Sequence, residues 1–272
     1  MIFDLHVHTT CSDGLLTPHQ VIDLAITKKL DGIAITDHDT VDAIESAIQY
    51  SKTKIKLYII PGIEFSCIFK DEEVHILGYF IDYKSLKLKK ITDSLKNKRI
   101  LRGIEMVKKI NKLGMNISIE EVQIEAGRNN YIGRPHIARV LVKHGFVNNI
   151  DEAFELYLNR GKEAYVEKES LKLEETIDLI HELEGIAVLA HPGLLNNFNI
   201  ITSCVNLGID GIEAVHSRHK SEDVKKLIDI AKQHNLIVTG GSDCHGILIN
   251  GEYLLGNYYV NIDYIPIMKG RI

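Results

Sequence analysis

Residues 4–14 read DLHVHTTCSDG, and the reading of this stretch decides what the rest of the chain must be. It closes an apolar run, IFDLHV (2–7), that has the length of a strand. Side chains two apart in a strand share a face, so His6 and His8 converge while Leu5 and Val7 face the other way. TTCSDG has turn composition, which lets Asp13 fold back toward the two imidazoles. Two neutral imidazoles and a carboxylate suit a borderline metal ion. The same stretch also fits a buried strand whose histidines are merely hydrogen-bonded. A short motif does not choose between these, and its context must.

The context is a series of similar units. PHQVIDLAITKKL (18–30) reads as a helix with Thr17 as N-cap and Pro18 at its first position. GIAIT (32–36) is the next strand, followed by a helix from near Val41, and then by strands KLYIIPGIEFS (56–66) and EVHILGYF (73–80). Further along come GIAVLA (185–190), DGIEAV (210–215) and LIVTGG (236–241), separated by helical stretches near 197–207 and 221–234. Seven strands alternating with helices predict a mainly parallel α/β sheet.

Ionisable residues stand at the ends of these strands. The first leads to His6, His8 and Asp13, the second to Asp37 and His38 in TDHDT, the third to Glu64 in GIEFS. His75 lies near the start of the fourth strand rather than its end. His191 follows the fifth, Glu213 and His216 close the sixth, and Asp243 and His245 follow the seventh. An open sheet would spread these ends by about 5 Å per strand, whereas a closed one gathers them on a single rim. So many ionisable groups in a water-poor pocket repel one another or go unsatisfied without cations between them. That is the physical case for metals.

The interval from Phe80 to Gly185 is too long for one crossover. Helical periodicity in 85–114, 134–146 and 151–161, with glycines at 114, 127, 145 and 161 as plausible ends, predicts a small all-helical insertion over 100–165. The barrel would then comprise 1–99 and 166–272. The basic cluster Lys96, Lys98, Arg99, Arg102, Lys108, Lys109 and Lys112 reads as a solvated helix face.

Composition narrows the function classes. With 272 residues, 45% of them hydrophobic, the chain can bury a full core. Its 32 basic against 37 acidic residues, a net charge of −5, argue against stable binding to duplex nucleic acid. No apolar run has the length of a membrane span, and a start that runs straight into a strand predicts no secretory signal. Four cysteines without CxxC spacing fit reduced thiols and a cytoplasmic protein, so any metal must use histidine and carboxylate.

Taken in order, HVHTTCSDG, TDHDT, GIEFS, HILGYF, GRPHIA, AHPG and GSDCHG resemble the PHP (polymerase and histidinol phosphatase) family. The order and linking segments look most like its nucleoside bisphosphate phosphatase branch, also described as RNase AM-like or TrpH-like. The resemblance implies a distorted seven-stranded (β/α)7 barrel with a helical insertion and a trinuclear site for divalent ions: manganese, iron or zinc. One ion would be held by His6, His8, Glu64 and Asp243. A second would share Glu64 and add His75 and His191. The third would sit on Asp13, His38 and His245. Glu64, Asp13 and His38 are the expected catalytic residues, working with a metal-activated hydroxide. The implied reaction is hydrolysis of nucleotide phosphate monoesters, chiefly the 3′-phosphate of nucleoside 3′,5′-bisphosphates, with 5′-to-3′ trimming of short oligonucleotides. Histidinol-phosphate phosphatase, or a noncatalytic metal-binding module, are the alternatives.

Substrate recognition needs cations that are not ligands. Arg134 and His136, in GRPH at a helix start, are the first choice, and Arg218 and His219 the second. Asp37 is expected to orient an imidazole, and Cys11 and Cys244 to be small packed thiols. His216 departs from the family pattern, as a pocket wall or an additional ligand.

Overall fold

The computed structural model describes residues 1–54, 57–70, 72–127 and 132–272. Strand and helix alternate first as β1 (Ile2–Val7), α1 (Pro18–Thr27), β2 (Gly32–Ile35), α2 (Ile44–Ser51), β3 (Tyr58–Phe69) and β4 (Glu72–Tyr79). Then come α3 (Leu86–Lys112), α4 (Ile119–Ala126), α5 (Arg134–Lys143) and α6 (Ile150–Ala153), the last running into one π-helical turn at Phe154–Leu158. The alternation resumes with β5 (Leu171–Lys172), α7 (Leu173–Glu182), β6 (Ile186–Leu189), α8 (Asn199–Asn206), β7 (Gly211–His216), α9 (Ser221–Gln233) and β8 (Ile237–Gly241). A small hairpin, β9 (Leu248–Ile249) and β10 (Glu252–Tyr253), precedes β11 (Val260–Asn261) and α10 (Pro266–Lys269).

One sheet carries the order β11-β1-β2-β3-β4-β6-β7-β8, with β5 beside β3. Within it, β4 runs antiparallel to β3 and to β6, and β11 antiparallel to β1, while the other pairings are parallel. The open ends meet. Just past β8, Cys244 bridges in parallel to Val7 and accepts the His8 N–H at 3.0 Å. The sheet is therefore a nearly closed barrel. The reversal of β4 also explains His75. Paired with Ser66, it stands in the first half of its strand yet on the rim where the parallel strands end.

Local chemistry sets the element bounds. Thr17 and Gln20 form a reciprocal capping box ahead of Pro18, as the sequence predicts. The helix stops at Thr27 instead of Leu30, because Lys29 turns left-handed (φ 58°) and the Leu30 N–H reaches back to the Ala25 carbonyl. Along β1, register against β2 shifts between Asp4 and Val7, a bulge that changes which side chains share a face. Leu5 packs with Ala34, Ile60 and Tyr79, whereas Val7 packs with Val21, Ile22 and Ala43 beneath α1 and α2. Simple alternation, which put Leu5 and Val7 together, fails at that bulge.

The chain divides into two compact units, residues 1–89 with 170–272, and residues 90–169. The second has an aliphatic core of its own, including Met106, Val107, Ile110, Val122, Ile137 and Leu141. Part of its basic cluster is tied to the unit's own backbone or buried, although Lys109 stays exposed. Arg99 is buried, Arg102 Nε donates to the Val166 carbonyl at 2.8 Å, and Lys109 Nζ to that of Tyr165 at 2.5 Å. Among the described residues, no helix is long and apolar enough to cross a membrane.

Candidate metal centre

The rim is built from the backbone upward. Asp4, fully buried, accepts the N–H groups of His6 (3.3 Å), Ser242 (2.9 Å) and Gly256 (2.9 Å), tying β1 to the segment after β8. A Cβ at Gly241 would lie 2.4 Å from the His6 backbone nitrogen, so only glycine lets β8 approach β1 this closely. The Asp37 carboxylate accepts the Thr9 N–H and hydroxyl, both at 2.7 Å, and the Ser12 hydroxyl at 2.5 Å. Asp37 thus braces the turn that presents Asp13 and contacts no imidazole among the described residues. A short carboxylate beside turn residues finds their donors first.

Glu64, 1% exposed, is the hub. Its Oε2 lies 2.9 Å from His38 Nδ1 and 3.4 Å from the Nε2 atoms of both His6 and His8. Its Oε1 lies 2.8 Å from His75 Nδ1 and 3.0 Å from His191 Nε2. Asp243 Oδ1 stands 3.0 Å from His8 Nε2, 3.5 Å from His6 Nε2 and 3.5 Å from His245 Nδ1. Asp13 faces His245 Nε2 at 3.3 Å and His38 Nε2 at 4.0 Å. All nine residues expected as ligands from the sequence gather on this rim.

Two neighbours complete it. Glu213 takes His6 Nδ1–H at 3.0 Å and the His191 backbone N–H at 2.8 Å, which aims His6 Nε2 at Glu64 and Asp243. The sequence places Glu213 at a strand end but not in this orienting role, because that depends on a partner 207 residues away. His216 Nδ1 accepts the Arg218 N–H at 3.2 Å, leaving Nε2–H to donate to Asp243 Oδ2 at 3.3 Å. His191 (φ 32°) and Asp243 (φ 53°) both hold left-handed backbones, which non-glycine residues adopt at a cost and mostly at functional sites.

Buried carboxylates and imidazoles shift one another strongly here. Burial pushes Glu64 up, but His38, His75 and His6 outweigh it and hold the carboxyl well below its usual range. Burial likewise opposes, and the histidines override, at Asp13 (His245 and His38) and Asp243 (His6 and His245). Burial with His245 nearby drives His8 down to about 3. Carboxylates overcome burial at His75 and His245, raised to about 9 and about 10. Even so, His6 Nε2, both His8 ring nitrogens, Asp13 Oδ1, His38 Nδ1 and Glu64 Oε2 are buried without a well-formed hydrogen bond. Each such atom costs roughly 1–3 kcal/mol unless something else satisfies it. Their donor atoms fall into overlapping groups within 4.8 Å: His8, Asp13, His38 and His245; His6, His8 and Glu64; His6, His216 and Asp243; His38, Glu64 and His75. Nitrogen and carboxylate donors without sulfur fit borderline divalent ions.

The expected substrate residues fare differently. Arg134 stacks over the Phe154 ring, 5.5 Å from its centroid, and His136 is buried with Nδ1 accepting the Gly133 N–H at 2.9 Å at the start of α5. Arg218 is exposed beside the rim. His219 is not the cation the sequence suggests. Its Nδ1–H donates to the Ala214 carbonyl at 2.9 Å and its Nε2 accepts the Gly193 N–H at 3.0 Å, which requires a neutral ring. Cys11 and Cys244 are buried thiols in no disulfide, as are Cys67 and Cys204.

The PHP domain family model matches residues 4–233. The chain belongs to the PHP family. Among its PHP relatives, a 5′-3′ exoribonuclease, Rnm, of Escherichia coli is 33% identical over 90% of this chain and 85% of its own. A 3′,5′-nucleoside bisphosphate phosphatase of Chromobacterium violaceum is 31% identical over 89% of this chain and 86% of its own. A crystal structure from Bifidobacterium adolescentis, assigned by inference as a metal-dependent phosphoesterase, superposes with a TM-score of 0.86. It is 30% identical and covers 97% of this chain and 94% of that one. Phosphoester hydrolysis is common to these names.

Proposed function

We propose that this PHP protein is a divalent-metal-dependent phosphoesterase acting on nucleotides. Its first substrate class is nucleoside 3′,5′-bisphosphates, cleaved at the 3′-phosphate, and its second is short oligonucleotides trimmed 5′ to 3′. One observation carries the reading: a 1%-exposed carboxylate, Glu64, ringed by five imidazole nitrogens within 3.4 Å, with one oxygen lacking a hydrogen bond.

About three ions of manganese, iron or zinc fit the donor set. His6, His8, Glu64 and Asp243 would hold one, Glu64, His75 and His191 a second, and Asp13, His38 and His245 a third. When bound, such ions polarise a phosphoryl group and lower the pKa of water. The chain's own residues do the positioning. Glu64, Asp13 and Asp243 concentrate negative charge where cations are needed, and Glu213 fixes the tautomer and direction of His6. Arg218 is available to an anionic group of the substrate. Arg134, from its place in GRPH, is a second phosphate-binding candidate. Four buried thiols suit a reducing compartment such as the cytoplasm.

The test offers metal-replete enzyme adenosine 3′,5′-bisphosphate, histidinol phosphate, short 5′-phosphorylated RNAs and an aryl phosphate side by side. The bisphosphate should show the highest kcat/KM. A preference for histidinol phosphate, or no turnover of any of the four, overturns the proposal.

A further inference from the structure

Beside the rim lies a cavity of about 300 Å³ whose lining includes Arg218, Asp243, His245, Ile247, Ile249 and Leu254. Two features of it are unaccounted for by the metal centre. The first is a run of three exposed aliphatic residues, Ile247 (43%), Leu248 (55%) and Ile249 (49%). Water is a poor environment for three adjacent large aliphatic side chains, and such exposure marks a surface that something covers. The second is Arg218, whose guanidinium has no ion pair or hydrogen bond among the described residues.

The hairpin that carries the aliphatic run is rigidly specified. Leu248 pairs with Tyr253 and Ile249 with Glu252. The turn between them, Asn250-Gly251, has φ of 53° and 83°, the two positive values that a type I′ hairpin turn demands and that Asn-Gly favours. Strand alternation puts Ile247 and Ile249 on the cavity side, where both line it, and Leu248 on the other. The cavity is therefore a preformed slot. Its lining brings together the aliphatic Ile247, Ile249 and Leu254, the rim residues Asp243 and His245, and Arg218.

We infer that this slot is the nucleoside subsite: Ile247, Ile249 and Leu254 cover the flat face of the base, and Arg218 meets a second anionic group on the same ligand. The inference rests on the reading of the rim as the phosphate-handling centre and adds to it what the rest of the substrate must be. A phosphoryl group drawn to the rim leaves its organic part adjoining the aliphatic wall. Ligand sites run from roughly 300 to 1,000 Å³ and combine apolar walls with a few placed polar groups. A cavity at the lower end of that range admits one heteroaromatic unit rather than several. An unbranched anionic ligand, such as an inorganic or short aliphatic phosphate, would leave the aliphatic wall in water and gain nothing from it.

The test is calorimetric binding of adenosine 5′-monophosphate and of inorganic phosphate to metal-loaded protein. Three proteins are compared: the natural sequence, the double variant Ile247→Ser with Ile249→Ser, and Leu248→Ser on the opposite face of the hairpin. The natural protein should bind the nucleotide at least about tenfold more tightly than inorganic phosphate. The double variant should lose most of that advantage, since each lost apolar contact of this kind is worth roughly tenfold or more. Leu248→Ser should keep the advantage, with the hairpin intact. No nucleotide preference in the natural protein overturns the subsite. So does a double variant that keeps the preference, or a Leu248→Ser variant that loses as much. If the preference and its loss both hold while adenosine 3′,5′-bisphosphate is not turned over, the subsite stands and the proposed reaction falls.

Discussion

The two units of this chain bury opposite kinds of side chain. The helical unit (90–169) is centred on Met106, Val107, Ile110, Val122, Ile137 and Leu141, with exposed ion pairs such as Lys108–Glu105 at 2.6 Å and one part-buried pair, Arg139–Glu125 at 2.8 Å. At the barrel rim the buried groups are His6, His8, Asp13, Glu64 and Glu213, crowded together and incompletely hydrogen-bonded. The first kind of burial stabilises a fold by removing apolar area from water. The second destabilises it unless cations supply the missing partners. A fold that keeps the second arrangement is organised around what binds there.

The contrast can be broken most sharply at its hub. Glu64→Gln keeps the shape but removes the charge that five imidazoles surround. Turnover should fall by about a thousandfold or more, as losses of a central electrostatic group do, while circular dichroism stays native. A near-normal rate would remove Glu64 from the centre of the site. Leu141→Ala, in the helical core, should do the reverse. It should cost roughly 2–5 kcal/mol in unfolding experiments through the cavity left behind, with metal content per folded chain unchanged. Metal loss from that variant would mean the two kinds of burial are not separable.

Smaller effects sharpen the picture. Arg134→Ala should lower kcat/KM for nucleotides by about one to two orders of magnitude, the value of roughly 1.5–3 kcal/mol for a charge-assisted contact, and should spare a small aryl phosphate. Equal losses on both substrates would make Arg134 a structural residue. Glu213→Gln should weaken metal binding by about 10- to 100-fold, measured by competition with a chelator, because His6 loses the acceptor that orients it. Unchanged affinity would show that the strand alone positions His6.

Much of the barrel is legible because its signals are local. Thr17-Pro18 starts α1, and short apolar runs mark β1, β2, β6, β7 and β8. His6 and His8 come at the end of β1 and Asp243 follows β8, while Glu64 lies within β3 where that strand runs past the end of β2 and bridges His38. What escapes the sequence depends on distant partners or single-residue geometry. The bulge in β1 separates Leu5 from Val7, and no composition marks it. Asp37 adjoins His38 in sequence but is drawn to Thr9 and Ser12 by donors nearer to its short side chain. His219 loses its role as a cation to two backbone groups, of Ala214 and Gly193, that only the fold brings to it. The hairpin was readable in principle from Asn250-Gly251, but its strands are two residues each, too short for periodicity to register.

The claim that the rim is a multinuclear metal centre is tested most directly by counting ions. Protein loaded with manganese, iron or zinc, freed of loosely bound metal and analysed for elemental content should hold about three ions per chain, and stripping them should abolish activity. At most one ion per chain at full activity would contradict the account.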